Sequence, residues 1–334
     1  MIFISISRRG SLFRARLSSP SPRQKSWLST LPGPTGMTTT DPQLIDTIPK
    51  LKTLLSKLTE SPLPSNPPSL YIDLEGRALS RHGSISIMQI FHLPTGQIYL
   101  VDVHTLGDAA FTTPLDDDQP EPEPEPQDPT QSTAQQEKGD PQTLKSILQH
   151  PTIQKAFFDV RSDADALYAQ YGVYLRGIQD IQLMELATRT YERTHLAGLA
   201  KCIARDAGLS EDEALILRKI KKKGLMLSTP ERGGSYDVFN KRPMSQEMVD
   251  YCALDVSVLP RLWRAYSKRL WGERGRMWRE RIREATRERV DLCLEVGSPW
   301  GDGSGRRDKA RAFGPASFLE EVEGTVDGNG VGGI

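Results

Sequence analysis

Asp73 and Glu75 stand two residues apart in the run SLYIDLEG, and an extended chain sends side chains at that spacing to the same face. Two carboxylates crowded in this way repel each other unless a cation lies between them, so the chemistry they offer is that of a hard divalent ion. On its own the D-x-E pair reads equally well as a solvated strand end. A second acid, Asp163, falls where the apolar run QKAFFDV gives way to the helical pattern DADALYAQYG. That position also suits a helix cap or a first-turn acid, and Asp159 and Asp165 compete for the same role. Tyr251 and Asp255, in MVDYCALDVSVLPRL, are four apart, which on a helix makes them surface neighbours. Alone, such a pair is ordinary for a tyrosine packed on a helix.

The elements that must position these groups follow from periodicity. Residues 41–60 place Leu44, Ile45, Ile48, Leu51, Leu54, Leu55 and Leu58 at spacings of three and four, the stripe of an amphipathic helix, with Pro49 a point of breakage or restart. Three β-rich runs, SLYIDLEG (69–76), SISIMQIFHL (84–93) and QIYLVDV (97–103), are separated by Gly, Pro and Ser and predict an antiparallel meander. Beyond it, TLKSILQH, DADALYAQYG, IQLMELATRT and HLAGLAKCIARDAG are helical in period, and 154–160 is a strand. Meander strands followed by strands alternating with helices predict an α/β mixed sheet, its first strand central and joined by parallel neighbours through right-handed crossovers. Ligands gather at the carboxyl ends of such strands, where these acids lie.

Composition narrows the function classes. The chain of 334 residues is 37% hydrophobic, enough for a core, and has no run near the roughly 18 apolar residues that a membrane helix needs, so it reads as soluble. Lys plus Arg and Asp plus Glu balance at 43 each, but residues 261–289 hold eleven bases against four acids, and 114–137 hold eight acids and no base. The three cysteines form no CxxC pair and suggest neither a thiolate zinc site nor a disulfide framework, which fits a reducing compartment. Residues 1–40 carry Arg8, Arg9, Arg14, Arg16, Arg23 and Lys25 with no acid, the composition of a mitochondrial presequence or of a leader preceding a start at Met37. Localisation is therefore mitochondrial if that leader is used, and otherwise cytoplasmic or nuclear. Residues 114–141, rich in Pro and acids, form a disordered insertion by composition, and 291–334 a disordered tail.

Order and context tie the three acidic sites together. A strand-borne D-x-E, a strand-to-helix Asp about ninety residues on, and a helical Y-x-x-x-D about ninety further resemble the exonuclease motifs of the DEDD superfamily. The resemblance runs from about Leu70 to Leu262. YIDLEGRALSRHGSISIMQIFH and QIYLVDV look like the opening meander of ribonuclease D-like domains, and KAFFDVRSDADALYAQYGVYLRGIQDIQLMELATR like their second motif with the Asp180 segment downstream. Aligned on Lys155 and the following helix, the family's metal-binding Asp falls on Asp163. No histidine follows His195, so the branch with a His ahead of the last Asp is excluded, and Tyr251 supplies the DEDDy alternative. D-V-R-S-D-A-D-A-L and the R-P-M before the last motif look like the eukaryotic exonuclease-domain proteins related to Egalitarian.

This resemblance implies a ribonuclease H-like fold in residues 41–290, its core at about 70–262: a three-strand antiparallel meander plus parallel strands, flanked by helices. It implies a 3′→5′ exonuclease acting on the single-stranded 3′ ends of RNA or DNA and releasing nucleoside 5′-monophosphates. Four oxygen ligands without Cys or His suit two Mg²⁺ or Mn²⁺ ions. By likeness Asp73 bridges both ions, Glu75 and Asp255 support one and Asp163 the other, while Tyr251, a poor base at neutral pH, orients the attacking water. Leu74 and Gln89 correspond to positions that contact the terminal nucleotide, although Leu74 is as readily a packing residue on the sheet's other face. The cations Arg218, Lys219, Lys221, Lys222 and Lys223 either track a nucleic-acid backbone or form a solvated charge run. A helix over 256–290 interleaves Trp263, Tyr266, Trp271 and Trp278 with arginines, as base-stacking groups or as buried anchors. The rival class is a catalytically silent nucleic-acid-binding or scaffold domain that keeps the fold. A phosphatase-like metal hydrolase would bring clustered histidines, which are absent from the sequence.

Overall fold

The computed structural model describes residues 41–60, 63–115, 143–191, 193 and 195–295. The 1–40 leader, nearly all of the 114–141 insertion and the tail beyond 295 lie outside the described residues. The chain opens with a short strand, β1 (Gln43–Ile45), followed by helix α1 (Ile48–Thr59). Leu44 and Ile45 thus belong to a strand and not, as their spacing predicts, to the helix. Pro49 occupies the first turn of α1, where a missing N–H costs no hydrogen bond, so it starts the helix. The meander follows as β2 (Leu70–Glu75), β3 (Ile87–His92) and β4 (Gln97–Val101). Two short helices, α2 (Val103–Leu106) and α3 (Ala109–Thr112), lead to the insertion, and α4 (Leu144–Gln149) follows it. Then come β5 (Lys155–Phe157), α5 (Arg161–Tyr171), β6 (Ile178–Asp180), α6 (Ile181–Thr188), α7 (Leu199–Asp206) and α8 (Glu211–Ser228). Helices α9 (Gln246–Arg269) and α10 (Glu273–Asp291) complete the described chain.

The six strands form one mixed sheet in the order β1-β4-β3-β2-β5-β6. β2 pairs antiparallel with β3 and parallel with β5, β3 pairs antiparallel with β4, and β1 and β6 extend the two edges in parallel. This is the α/β mixed sheet that the sequence predicts, with β1 added at one edge. Strand parity divides the core. Tyr71, Ile87, Phe91, Ile98 and Leu100 pack under α6, α7, α8 and α9, whereas Leu70, Ile72, Leu74, Met88, Ile90, Tyr99 and Val101 pack under α1, α4 and α5.

Two further expectations change. The helix predicted over 256–290 is broken at Leu270–Gly272, where Gly272 takes φ +84, a conformation that side chains other than glycine rarely adopt. The described chain also continues past the boundary set at 290: Leu292–Leu294 form a 3₁₀ turn with Cys293 buried, and its carbonyl accepts from Arg81 Nη2 at 3.2 Å. All three cysteines are free and buried. No helix among the described residues is long and apolar enough to cross a membrane.

Candidate metal centre

Period two along β2 decides which way its acids point. Leu70, Ile72 and Leu74 face α1 and α5, so Tyr71, Asp73 and Glu75 face α9 at the carboxyl end of the strand. Helix α9 lies across β2, β3 and β4 on that side and carries Tyr251 and Asp255. A carboxylate oxygen from each of Asp73, Glu75 and Asp255 lies within 4.8 Å of the others, so residues about 180 positions apart meet at one point. Asp163 is not part of that close trio but stands beside it, in the first turn of α5, where the charges of Asp73 and Glu75 act on it.

The three aspartates near β5 differ in their partners. Asp159 accepts two bonds from Arg161, at 2.6 and 2.8 Å. Asp165 is held by the side chain and backbone N–H of Arg81, at 2.6, 2.8 and 2.9 Å. Asp163 Oδ1, in contrast, is buried without a hydrogen-bond partner among the described residues. Asp180 fixes the turn that presents it. Its carboxylate, fully buried, accepts from the backbone N–H groups of Asp159 (3.1 Å) and Val160 (3.2 Å), caps α6 through Gln182 N (2.9 Å) and is paired with Arg289 of α10 at 2.7 Å.

Helix α8 closes the site and supplies a residue that sequence pattern alone assigns to a surface cation run. Lys221 turns inward, donates to Asp255 Oδ2 at 2.5 Å and lies 4.7 Å from the centroid of the Tyr251 ring. The signal was the glycine one turn further on. A Cβ on Gly224 would sit 1.9 Å from Cδ2 of Tyr251, so α8 approaches α9 as closely as it does only because that position has no side chain.

The electrostatics are those of charge held in excess. Burial and then Asp255 push Asp73 up to about 7, with relief from Lys221 and the Leu74 N–H. Burial and then Asp73 push Glu75 up to about 8, against Lys221 and a hydrogen bond from Tyr251. Asp163 is raised well above the usual carboxylate range by burial and then by Asp73. Burial first, then Glu75 and Asp255, raise the Tyr251 phenol, which stays protonated at neutral pH. Lys221 is held above its ordinary value, its burial being outweighed by Asp255, Glu75 and Asp73.

The two residues expected at the terminal nucleotide are placed differently from each other. Leu74 is 3% exposed, with its side chain in the core on the far face of the sheet, so the structure does not bring that side chain to the carboxylates. Gln89 is the direct cross-strand partner of Asp73 and shares its face. Its amide is fully buried, neither its nitrogen nor its oxygen finds a partner among the described residues by distance and angle, and the Cys252 thiol against it is at best a weak one.

The donor set fits a divalent cation. It consists of hard oxygens, burial and then mutual repulsion make Asp73, Glu75 and Asp163 hold their protons tightly, and Asp163 Oδ1 and Asp255 Oδ1 are buried without a hydrogen-bond partner among the described residues. Comparison with known proteins agrees with the geometry. The 3′-5′ exonuclease family matches residues 42–271, more than half of the chain. Trypanosoma brucei RNase D in complex with GMP is similar over 81% of this chain and 68% of that one, at 20% identity and a TM-score of 0.58. The same protein in complex with RNA U12 is similar over 77% and 72%, at 20% identity and a TM-score of 0.54. Escherichia coli RNase D, an exoribonuclease involved in structured RNA processing, is similar over 77% of this chain and 52% of that one, at 16% identity and a TM-score of 0.50. At such identities the likeness is one of fold, and no curated protein matches the chain in sequence. Family match, fold and acidic cluster coincide on the same residues, and the chain belongs to the 3′-5′ exonuclease family.

Proposed function

We propose that this protein is a DEDDy-type exonuclease that removes nucleoside 5′-monophosphates from the 3′ ends of single-stranded RNA or DNA with the help of two Mg²⁺ or Mn²⁺ ions. The observation that carries the reading is the convergence of Asp73, Glu75 and Asp255, with Asp163 at their side. Asp73, central to the cluster, would serve both ions, Glu75 and Asp255 one of them, and Asp163 the other. Such ions, when bound, neutralise the scissile phosphate and make water nucleophilic near neutral pH.

The remaining work falls to the side chains. Tyr251 keeps its proton, so its hydroxyl orients the attacking water and does not act as a base. Its hydrogen bond to Glu75 fixes where that hydroxyl sits. Lys221 brings a positive charge to Asp255 from the α8 side and orients that carboxylate. Gln89, on the face of Asp73 with only the Cys252 thiol against its amide among the described residues, is the side chain placed to meet a nucleotide's polar edge. The test is to incubate purified protein with single-stranded RNA and DNA, with Mg²⁺ or Mn²⁺, and to identify the products. Nucleoside 5′-monophosphates released from the 3′ end, and stopped by EDTA, are expected. Binding without degradation of either nucleic acid, with either metal, would make the protein a silent scaffold.

A further inference from the structure

The sheet has a second feature at its other end. β2, β5 and β6 run parallel, and the carboxylates lie at the carboxyl ends of β2 and β5. At the amino ends, a groove of about 1060 Å³ opens between the chain leading into β5 and β6 and the helices α9 and α10. Five arginines line it, Arg176, Arg276, Arg279, Arg283 and Arg287, against one acid, Glu273. Four of them rise along α10 at spacings of three and four, a single helical stripe about 16 Å long at 1.5 Å per residue.

Aromatic residues complete the groove. Trp263, nearly buried, forms part of its wall and donates from Nε1 to Gln179 Oε1 at 2.7 Å. Trp271, in the break between α9 and α10, is 82% exposed. The break is held in shape by Arg279, which donates to the carbonyls of Leu270 and Gly272. A concave wall with five cations to one acid focuses field on an anion, and a large exposed indole beside it is a platform for a flat ring. A basic rail with an adjacent aromatic ring is the recognition chemistry of single-stranded nucleic acid.

We propose that this groove is a second nucleic-acid site, in which the arginines of α10 hold the sugar–phosphate backbone and Trp271 stacks on a base, at the end of the sheet opposite the carboxylates. The inference rests on the nuclease reading only in taking nucleic acid as the partner. The strand can be an upstream part of the one being degraded or a separate one.

The full-length protein is tested in EDTA, where nothing is cleaved, by the binding of a labelled oligonucleotide over a range of salt. Arg276→Ala with Arg283→Ala should lower the slope of log affinity against log salt by about 1.4, two single-strand phosphate contacts at roughly 0.7 each. Trp271→Ala should weaken binding on the order of tenfold or more. All three residues are solvent-exposed, and a circular dichroism spectrum and melting temperature like the wild type's exclude unfolding as the cause. With metal present, the variants should cleave a dinucleotide as the wild type does. A raised KM on long strands alone assigns the groove to the substrate's own upstream part, and an unchanged KM with weakened binding of a 3′-blocked strand assigns it to a separate one. Equal affinity and slope for wild type and variants overturn the proposal, as does displacement of the oligonucleotide by polyglutamate at lower charge concentration than by nucleic acid. Since binding is read without metal, the groove is tested equally well in a protein that degrades nothing.

Discussion

The carboxylate cluster predicts a metal response that depends on pH in a definite direction. In the metal-free protein Asp73 and Glu75 hold their protons up to about 7 and about 8, whereas in the unfolded chain they release them near pH 4. Because the folded state binds more protons between these limits, its stability is highest at or below about pH 4 and falls as pH rises through 7 and 8. A shift of about three units on one carboxyl corresponds to about 4 kcal/mol. The two groups share one repulsion and are partly reached by water, so about 4 kcal/mol for the pair is the working figure. For a domain of this size 1 kcal/mol moves the melting temperature by about 2 °C at the least, which makes the strain worth about 8 °C. A divalent cation removes it, since it replaces the missing positive charge. Thermal melts with EDTA and with saturating Mn²⁺ should therefore differ by about 8 °C at pH 8 and by no more than about 2 °C at pH 5. Asp73→Asn should raise the EDTA melting temperature at pH 8 by several degrees and remove most of the Mn²⁺ response. Equal metal responses at the two pH values, or a less stable Asp73→Asn protein in EDTA, would show that the buried carboxyls store no such strain.

Other perturbations test the supports of the site. Gly224→Ala places a methyl group within 1.9 Å of Tyr251 Cδ2, so the ring must move by about 1 Å and kcat/KM should fall about a hundredfold with no loss of helicity; wild-type kinetics would show that α8 yields instead. Arg242 binds both oxygens of the fully buried Asp102 and so ties the segment before α9 to the end of β4. Arg242→Ala should cost about 3 kcal/mol in denaturant unfolding, and adding Asp102→Asn should recover part of it; a cost below about 1 kcal/mol would mean that water solvates Asp102. Excision of residues 116–138 should leave activity unchanged and the melting temperature within a few degrees, because Pro- and acid-rich sequence adds little to a core, and a larger fall would show that the segment packs.

What the sequence made legible was set by short-range periodicity. The D-x-E spacing on a strand placed Asp73 and Glu75 on one face, and the four-residue spacing on a helix placed Tyr251 beside Asp255, because both repeats are local properties of the backbone. The same rule, followed to its end, sends Leu74 to the opposite face. Leu44 and Ile45 satisfied a helical spacing by coincidence, and only pairing with β4, more than fifty residues on, makes them a strand. Asp163 differs from Asp159 and Asp165 through Arg161 and the distant Arg81, and no local pattern tells which of three neighbouring acids will find an arginine. Lys221 was hidden in a run of like charges, since the face that meets α9 is chosen by Gly224 and not by the lysines. The break at Trp271–Gly272 was written as a glycine, but the basic and aromatic stripe on either side read through it as one helix.

If this cluster of carboxylates performs metal-dependent cleavage from the 3′ end, a comparison of variants on one substrate shows it most directly. Wild type, Asp73→Asn and Tyr251→Phe, purified in parallel, are followed on a 5′-labelled single-stranded oligonucleotide with Mn²⁺. The wild type should give a ladder that shortens one nucleotide at a time from the 3′ end. Asp73→Asn should give none, since it removes a charge from the carboxylate proposed to serve both ions with little change of shape, while still binding the strand. Tyr251→Phe should fall between them, having lost only the hydroxyl that orients water. A ladder from Asp73→Asn as fast as the wild type's would contradict the account and place the chemistry elsewhere.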